Sequence, residues 1–288
     1  MQAESIIRGL TICSLSGLLL GVGLRLTAHE VVASVRKCHL TLIIALNFIV
    51  VPTLVVATTR LFDFSANLST GMILLSAVPF APVVPVFTRM ARADLALAAG
   101  LSTVFPLLCV FFSPFVIGVA LKGMPSAATV HFDTWGILLT LLGTIILPLG
   151  LGMVAKHFAP VWGRRCLRPV ETVAEFAGAL SLGFVTFTEW PLIVSTGWLQ
   201  LLVMALLCEM SLLLGYAVGG PGRQARRVVG LGTSNRNIAL AILIAIESFG
   251  DSPVLAAVVA NGLLLILLGL FHVAFWRFGP GQAQRASE

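Results

Sequence analysis

The sequence predicts an all-α membrane protein that crosses the bilayer nine times, and three observations carry that prediction. Of 288 residues, 58% are hydrophobic and only 10% are charged, where an ordinary soluble domain carries about 25% charged residues. The hydrophobic residues recur in runs of about 20, the length that spans a hydrocarbon core as helix, and they do not alternate as the strands of a membrane barrel would. The cations, finally, gather in every second connection between the runs.

Cutting at charged and Pro/Gly-rich breaks places the spans at residues 6 to 27, 39 to 60, 68 to 89, 94 to 121, 134 to 156, 170 to 190, 195 to 219, 225 to 248 and 253 to 276. The first run could be taken for a signal peptide, but Glu4 and Arg8 stand at its start and its basic flank follows it, so the expectation is a retained helix entering from outside. Alternate connections then hold Arg25, Arg36, Lys37, Arg89, Arg92, Lys156, Arg164, Arg165, Arg168, Arg223, Arg226, Arg227, Arg277 and Arg285, while the other side holds only Arg8, Arg60 and Lys122. That bias sets the N-terminus outside and the C-terminus inside. The net charge of +6 is therefore a topology signal, and no nucleic-acid groove is expected. The five cysteines, Cys13, Cys38, Cys109, Cys166 and Cys208, show neither a disulfide framework nor metal-ligand spacing.

Two spans cannot be regular helix throughout. The third reads Ser76-Ala-Val-Pro79-Phe-Ala-Pro82-Val-Val-Pro85, and each proline removes a backbone donor and clashes with the preceding turn. The eighth reads Gly230-Leu-Gly232-Thr-Ser-Asn235-Arg236-Asn237, where glycine and side chains that bond their own backbone loosen the helix. With spans one to four (6–121) as one half, span five (134–156) as connector and spans six to nine (170–276) as the other, both breaks fall third in their half, and the halves are inverted. Paired broken helices in an inverted repeat mark a transporter's binding site, because exposed backbone at that depth is tolerated only beside a cavity. The plain alternative is that the prolines merely kink a packed helix.

The stretches Gly21-Val-Gly-Leu-Arg-Leu-Thr27, Asn47-Phe-Ile-Val-Val-Pro52, Ser76-Ala-Val-Pro79, Ala91-Arg-Ala-Asp-Leu-Ala-Leu97, Gly232-Thr-Ser-Asn-Arg-Asn-Ile-Ala-Leu-Ala241 and Phe249-Gly-Asp251 resemble, in order and spacing, the bile acid:sodium symporter family. The resemblance implies two crossed discontinuous helices, a core of spans two to four and seven to nine, and a panel of spans one, five and six. The family typically has ten helices, and this sequence looks as though it lacks the first, which agrees with an outside N-terminus.

The family's sodium sites are where the resemblance weakens. A Ser-Asn pair at the first crossing falls here on Val84 and Pro85, and a glutamate shared by both sites falls on or near Gly232. Asn47 matches a glutamine of the second site, Asn237 matches the polar residue after the crossing glutamine, and Arg236 stands where that glutamine would be. The expectation is that the Arg236 guanidinium replaces a bound cation and attracts an anion, since a mid-membrane arginine costs about 2.5 to 3.5 kcal/mol and is seldom left without a role. A helix N-terminus at the break adds positive potential for a carboxylate or phosphate.

The candidate binding residues are thus Arg236, Asn235, Asn237, Ser234, Thr233, Asn47, Ser76, Ser102 and Thr103, with Glu209 as a proton relay or as the partner of Arg236. Ser102 and Thr103 equally suit hydrogen bonds to their own helix, Asn261 suits helix bridging, and Glu189 and Glu247 suit solvated span ends. His272 has no companion at metal-ligand spacing.

The reading is a secondary transporter of a small or amphipathic organic anion, multi-pass in a plasma or inner membrane, with no cofactor, and with coupling to sodium or protons open. A sensor or scaffold of the same fold is the alternative. An intramembrane enzyme is the least supported, since no His-Glu-x-x-His, paired Asp or Ser-His constellation occurs in the spans. A cysteine at the first crossing, which the related arsenite exporters carry, is absent here.

Overall fold

In a computed structural model, residues 2–36, 38–122, 134–250 and 252–278 are described. Lys37, Asp251 and Arg285, which figure in the charge bias and the motifs, lie outside them. The described chain is built of helices: α1 Gln2–Arg25, α2 Ala28–Val35, α3 Leu40–Leu61, α4 Ala66–Ser76, α5 Val84–Met90, α6 Leu95–Leu121, α7 Thr134–Phe158, α8 Pro160–Thr188, α9 Trp190–Val194, α10 Trp198–Val218, α11 Arg223–Ser234, α12 Ile238–Phe249 and α13 Val254–Phe278.

Eight segments among the described residues are long and apolar enough to cross a membrane, with α11 and α12 together counting as one. The remaining expected crossing, the third, consists of the short helices α4 and α5 around an unwound stretch. This is a multi-pass, all-α membrane protein.

Local chemistry explains the helix ends and their irregularities. α4 starts at Ser65, whose hydroxyl accepts the Leu68 amide, and α6 starts at Asp94, whose carboxylate accepts the Leu97 amide. In α3 and α7 a turn widened to i→i+5 bonding, at Leu46–Val50 and Leu142–Ile146, comes just before Pro52 and Pro148. The wider turn makes room for a ring that would strike the carbonyl four residues back.

Two boundaries differ from the sequence-based expectation. The sixth span was expected from residue 170, but α8 begins at Pro160 and carries Arg164, Arg165 and Arg168 on its first turns. Proline at the first helical position suits a helix start, and Pro169 is accepted further on. The connection after the first span is the short helix α2, not a loop, and it is held by a capping box. The Thr27 hydroxyl accepts the Glu30 amide while the Glu30 carboxylate accepts the Thr27 amide at 2.7 Å.

Glu30 also accepts from Lys156 at 2.9 Å, and Arg25 forks onto Glu171 with two bonds of 2.6 Å. The lysine, then the two Thr27 donors, hold the Glu30 carboxyl down from its ordinary 4.5 to about 2. A depressed folded-state value stabilises above about pH 4.5 and is lost as pH falls towards 2. Melting of the wild type and of Glu30→Gln should therefore differ at pH 7 by a gap that shrinks to less than half at pH 3. A gap unchanged between those two pH values would rule the linkage out.

The helices pack in two groups. α1 lies against α7 and α8, with Gly23 and Gly152 facing each other so closely that a Cβ on Gly23 would sit 2.3 Å from the Leu149 carbonyl oxygen. In the second group α10 packs on α11, and α13 packs on α4, where Gly71 meets Ala257. The two broken segments lie in this second group.

Candidate functional site

α4 stops at Ser76 because Pro79, Pro82 and Pro85 forbid further regular helix, and α11 stops at Ser234, after which Asn235 turns extended (φ −88°, ψ 104°). The two unwound stretches then satisfy each other. The Phe80 amide donates to the Gly232 carbonyl at 3.2 Å, the Ala81 amide to Asn235 at 3.2 Å, and the Asn237 amide to Val78 at 2.8 Å. Away from water these groups have few other partners, so the crossing itself supplies them. Asn237 restarts the chain as helix: its side-chain oxygen accepts the Leu240 amide at 3.1 Å and caps α12.

Phe80 is the keystone of this crossing. It is fully buried, has a left-handed φ of 57° that a phenylalanine rarely adopts, and stacks on Phe105 at 4.1 Å. Gly232 lets the ring lie directly on α11. The carbonyls of the broken α4 end are also used: Ser113 donates to Ala77 at 2.7 Å, and Arg236 Nη1 donates to Ser76 at 3.0 Å.

Arg236 is 4% exposed, and among the described residues it has no carboxylate partner, while its Nη2 has no hydrogen-bond partner. Its positive charge meets the negative end of α4, the end a helix dipole favours for a cation.

Most of the residues singled out from the sequence gather here. Asn47 donates to Thr233 Oγ1 at 3.2 Å and so ties α3 to α11. Asn235 donates to the Leu231 carbonyl and to Ser234 Oγ, the Ser234 hydroxyl donates back to Leu231, and Ser76 contributes chiefly its carbonyl, its own hydroxyl donating to Ile73.

Three stand apart from that cluster. Thr103 donates to Ala99 within its own helix, and Ser102 is buried with no partner for its hydroxyl among the described residues. Glu209 does not meet Arg236. It pairs with His272 at 3.1 Å, because α10 turns this residue to its outer, one-third-exposed face.

A cavity of about 590 Å³ lies between the α1–α8 side and the crossing. Its polar lining comes from Thr11, Ser14, Ser181, Asn235, Arg236 and Asn237, and its walls are otherwise mostly apolar, with Leu18, Val22, Leu182, Ile238 and Ile242. The mouth carries Arg25, Arg89, Glu171 and Glu175. A second, small cavity of about 30 Å³ on the other side of Arg236 is bordered by Ser76, Cys208, Ser211, Ser234 and Asn261. That is room for about one water.

Sequence reasoning missed the wall opposite the crossing. Thr11 and Ser14, three apart on α1, and Ser181, whose hydroxyl lies 2.7 Å from that of Thr11, were legible only as small polar residues repeated on one face of an apolar run.

A family model described as the sodium bile acid symporter family matches residues 12–196, from within α1 to past α9. The chain belongs to this family. The matched stretch ends before α10, so the second broken segment of this symporter-family member, with Arg236, lies beyond it.

The chain is 25% identical over 275 residues to the protein named probable sodium/metabolite cotransporter BASS3, chloroplastic, of Arabidopsis thaliana, an alignment covering 92% of this chain and 62% of that protein. It is 22% identical over 273 residues to the protein of the same name from Oryza sativa subsp. japonica, with 92% and 63% covered. To the probable sodium/metabolite cotransporter BASS2, chloroplastic, of the same rice it is 23% identical over 235 residues, with 80% and 55% covered. The chain thus spans 55% to 63% of the length of these relatives.

Proposed function

We propose that the chain is a secondary transporter that moves a small or amphipathic organic anion through the crossing by alternating access, with its sodium sites weakened or lost. The observation that carries this is the mutually bonded pair of unwound segments, whose Asn235, Arg236 and Asn237 form one wall of the 590 Å³ cavity. The related proteins named sodium/metabolite cotransporters support transport as the class of activity. Cavity volume and apolar lining suit an organic solute, since ligand sites of this kind run from about 300 to 1,000 Å³. With Arg25 neutralised by Glu171, Arg89 at the mouth and Arg236 at the crossing against the single remaining carboxylate Glu175 leave a net positive lining that draws an anion inward.

On this reading spans one to four and six to nine are inverted repeats, nine crossings leave the N-terminus outside, and the membrane is a plasma or inner membrane. The α1–α7–α8 group is the panel, against which the core of spans two to four and seven to nine moves.

The sodium argument is electrostatic. Arg236 already occupies the Ser76 carbonyl at the broken end of α4 and borders the 30 Å³ cavity. A sodium ion some 4 Å from that guanidinium would meet about 4 kcal/mol of repulsion at an effective dielectric of 20, and Val84, Pro85 and Gly232 offer no side-chain oxygen in exchange.

Binding stabilises a folded protein by mass action, so a thermal-shift screen of carboxylates and sulfonates on purified protein should yield a ligand whose shift is equal in sodium and in choline buffer. Arg236→Met loses a hydrogen bond worth about 1–3 kcal/mol but also removes a buried charge costing about 2.5 to 3.5 kcal/mol, so its unliganded melting point should barely move. Its affinity for the ligand, read from the concentration dependence of the shift, and its uptake into proteoliposomes should fall by about tenfold or more, the loss of one charge-assisted contact of about 1.5–3 kcal/mol. Strict sodium dependence, persisting in the variant, would contradict the proposal.

A further inference from the structure

The mouth end of the core carries a charged surface that the transport reading does not use. Arg223, Arg226 and Arg227 sit three and four residues apart, on one face of the first turns of α11. Arg226 lies over the Tyr216 ring at 6.0 Å and Arg227 over the Trp276 ring at 5.3 Å, and the two rings are themselves 6.4 Å apart. Each guanidinium is steadied by one backbone carbonyl: Arg226 Nε donates to Gly220, and Arg227 Nη1 donates to Ala91 just past α5.

Among the described residues neither forms an ion pair, whereas Arg25 and Lys156 at the same end are neutralised by Glu171 and Glu30. Glu209, the acid on this outer face, is taken by His272. Two planar forks are thus oriented, at low entropic cost, with most of their five N–H donors unused.

What lies beside them decides the partner. Leu213, one turn before Tyr216, and Phe271 and Phe275, beside His272 and Trp276, are exposed apolar side chains on the outer surface of α10 and α13. An aromatic pair with arginines on one side and bare hydrocarbon on the other matches an amphipathic molecule lying along the bilayer normal. Rings at headgroup depth, guanidinium forks above and acyl-chain surface below describe a phospholipid whose head carries net negative charge.

We propose that the Arg226–Arg227–Tyr216–Trp276 surface binds the phosphate headgroup of an anionic phospholipid. α11 runs from these arginines directly to the crossing at Asn235, so such a lipid would hold the cytoplasmic end of the moving core at the membrane surface.

The test uses the full chain in detergent micelles. Phosphatidylglycerol should raise the melting temperature by several degrees in a salt-sensitive way, and native mass spectrometry should show it retained on the protein, while phosphatidylcholine should do neither. Arg226→Gln with Arg227→Gln should abolish both signals. Arg164→Gln with Arg165→Gln, exposed arginines on α8 that stack on no ring among the described residues, should keep them.

Trp276→Leu, which leaves every charge in place, should retain less phosphatidylglycerol than wild type and keeps the question answerable if the double arginine variant does not fold. The proposal is overturned by an equal response to phosphatidylcholine, by inorganic phosphate reproducing the shift, by wild-type retention in the Arg226/Arg227 or Trp276 variants, or by equal loss in the α8 control.

Discussion

Gly232→Ala should lower the melting temperature of the protein by about 6 to 12 °C, the shift expected from about 3 kcal/mol in a chain of this size. An added Cβ would lie 2.0, 2.3 and 2.4 Å from the Cε1, Cδ1 and Cζ atoms of Phe80. Overpacking usually costs about 1–3 kcal/mol because neighbours can shift, and the upper end applies where they cannot. Phe80 cannot. Its backbone amide is bonded to Gly232 itself, its φ is left-handed, and its ring is pressed on Phe105, which stacks in turn on Phe48 at 5.9 Å. Combining Gly232→Ala with Phe80→Ala should recover part of the loss, a coupling that a double-mutant cycle measures. A single variant that melts with the wild type would mean the two chain segments do not cross as described.

Locking Arg8 to Glu247 should stop transport altogether. These residues form a 2.7 Å ion pair between α1 and α12, at the end of the molecule opposite the cavity mouth. The cavity runs along α1 from Arg25 only as far as Thr11, so the pair lies on the side of the molecule away from the cavity mouth. The alternating access proposed above requires that side to part.

As an ion pair it is weak: with side chains 51% and 22% exposed, it is worth at most about 1 kcal/mol, so Arg8→Ala alone should leave the fold stable and change uptake only severalfold. A covalent tie is different. Cysteines at positions 8 and 247, joined by a thiol-specific bifunctional reagent after the exposed Cys13 and Cys166 and the half-buried Cys38 are replaced, should bring uptake to background. A reducible reagent should return it on cleavage. Undiminished uptake in the fully cross-linked protein would show that this end never opens.

The architecture was legible in the sequence wherever it depended on local chemistry. Three prolines at three-residue spacing can only interrupt α4, and the run from Gly230 to Asn237 announces its own weakness, so both breaks were visible without a partner in view. The burial of Arg236 followed from its place in an apolar run. What the sequence did not reveal depends on contacts between distant residues.

Thr11 meets Ser181 across 170 positions, and nothing in either neighbourhood names the other. Glu209 was a natural partner for Arg236 as the other charge at that depth, yet a helix has an inside and an outside, and an almost uniformly apolar α10 gives no periodicity from which to tell them apart. The left-handed backbone of Phe80 was equally unreadable. A glycine would have announced that conformation, whereas the phenylalanine adopts it only because Gly232 and Phe105 hold its ring.

Arg236 has an electrical consequence. A sodium ion that enters with its solute can be released on the far side, but a guanidinium belongs to the chain and has to come back. If the core carries it through the membrane potential, the loaded journey with a monovalent anion is close to neutral, and the empty return moves one positive charge. That return feels about 2.3 kcal/mol for each 100 mV, so voltage would set the pace of the carrier through the half of its cycle in which nothing is carried.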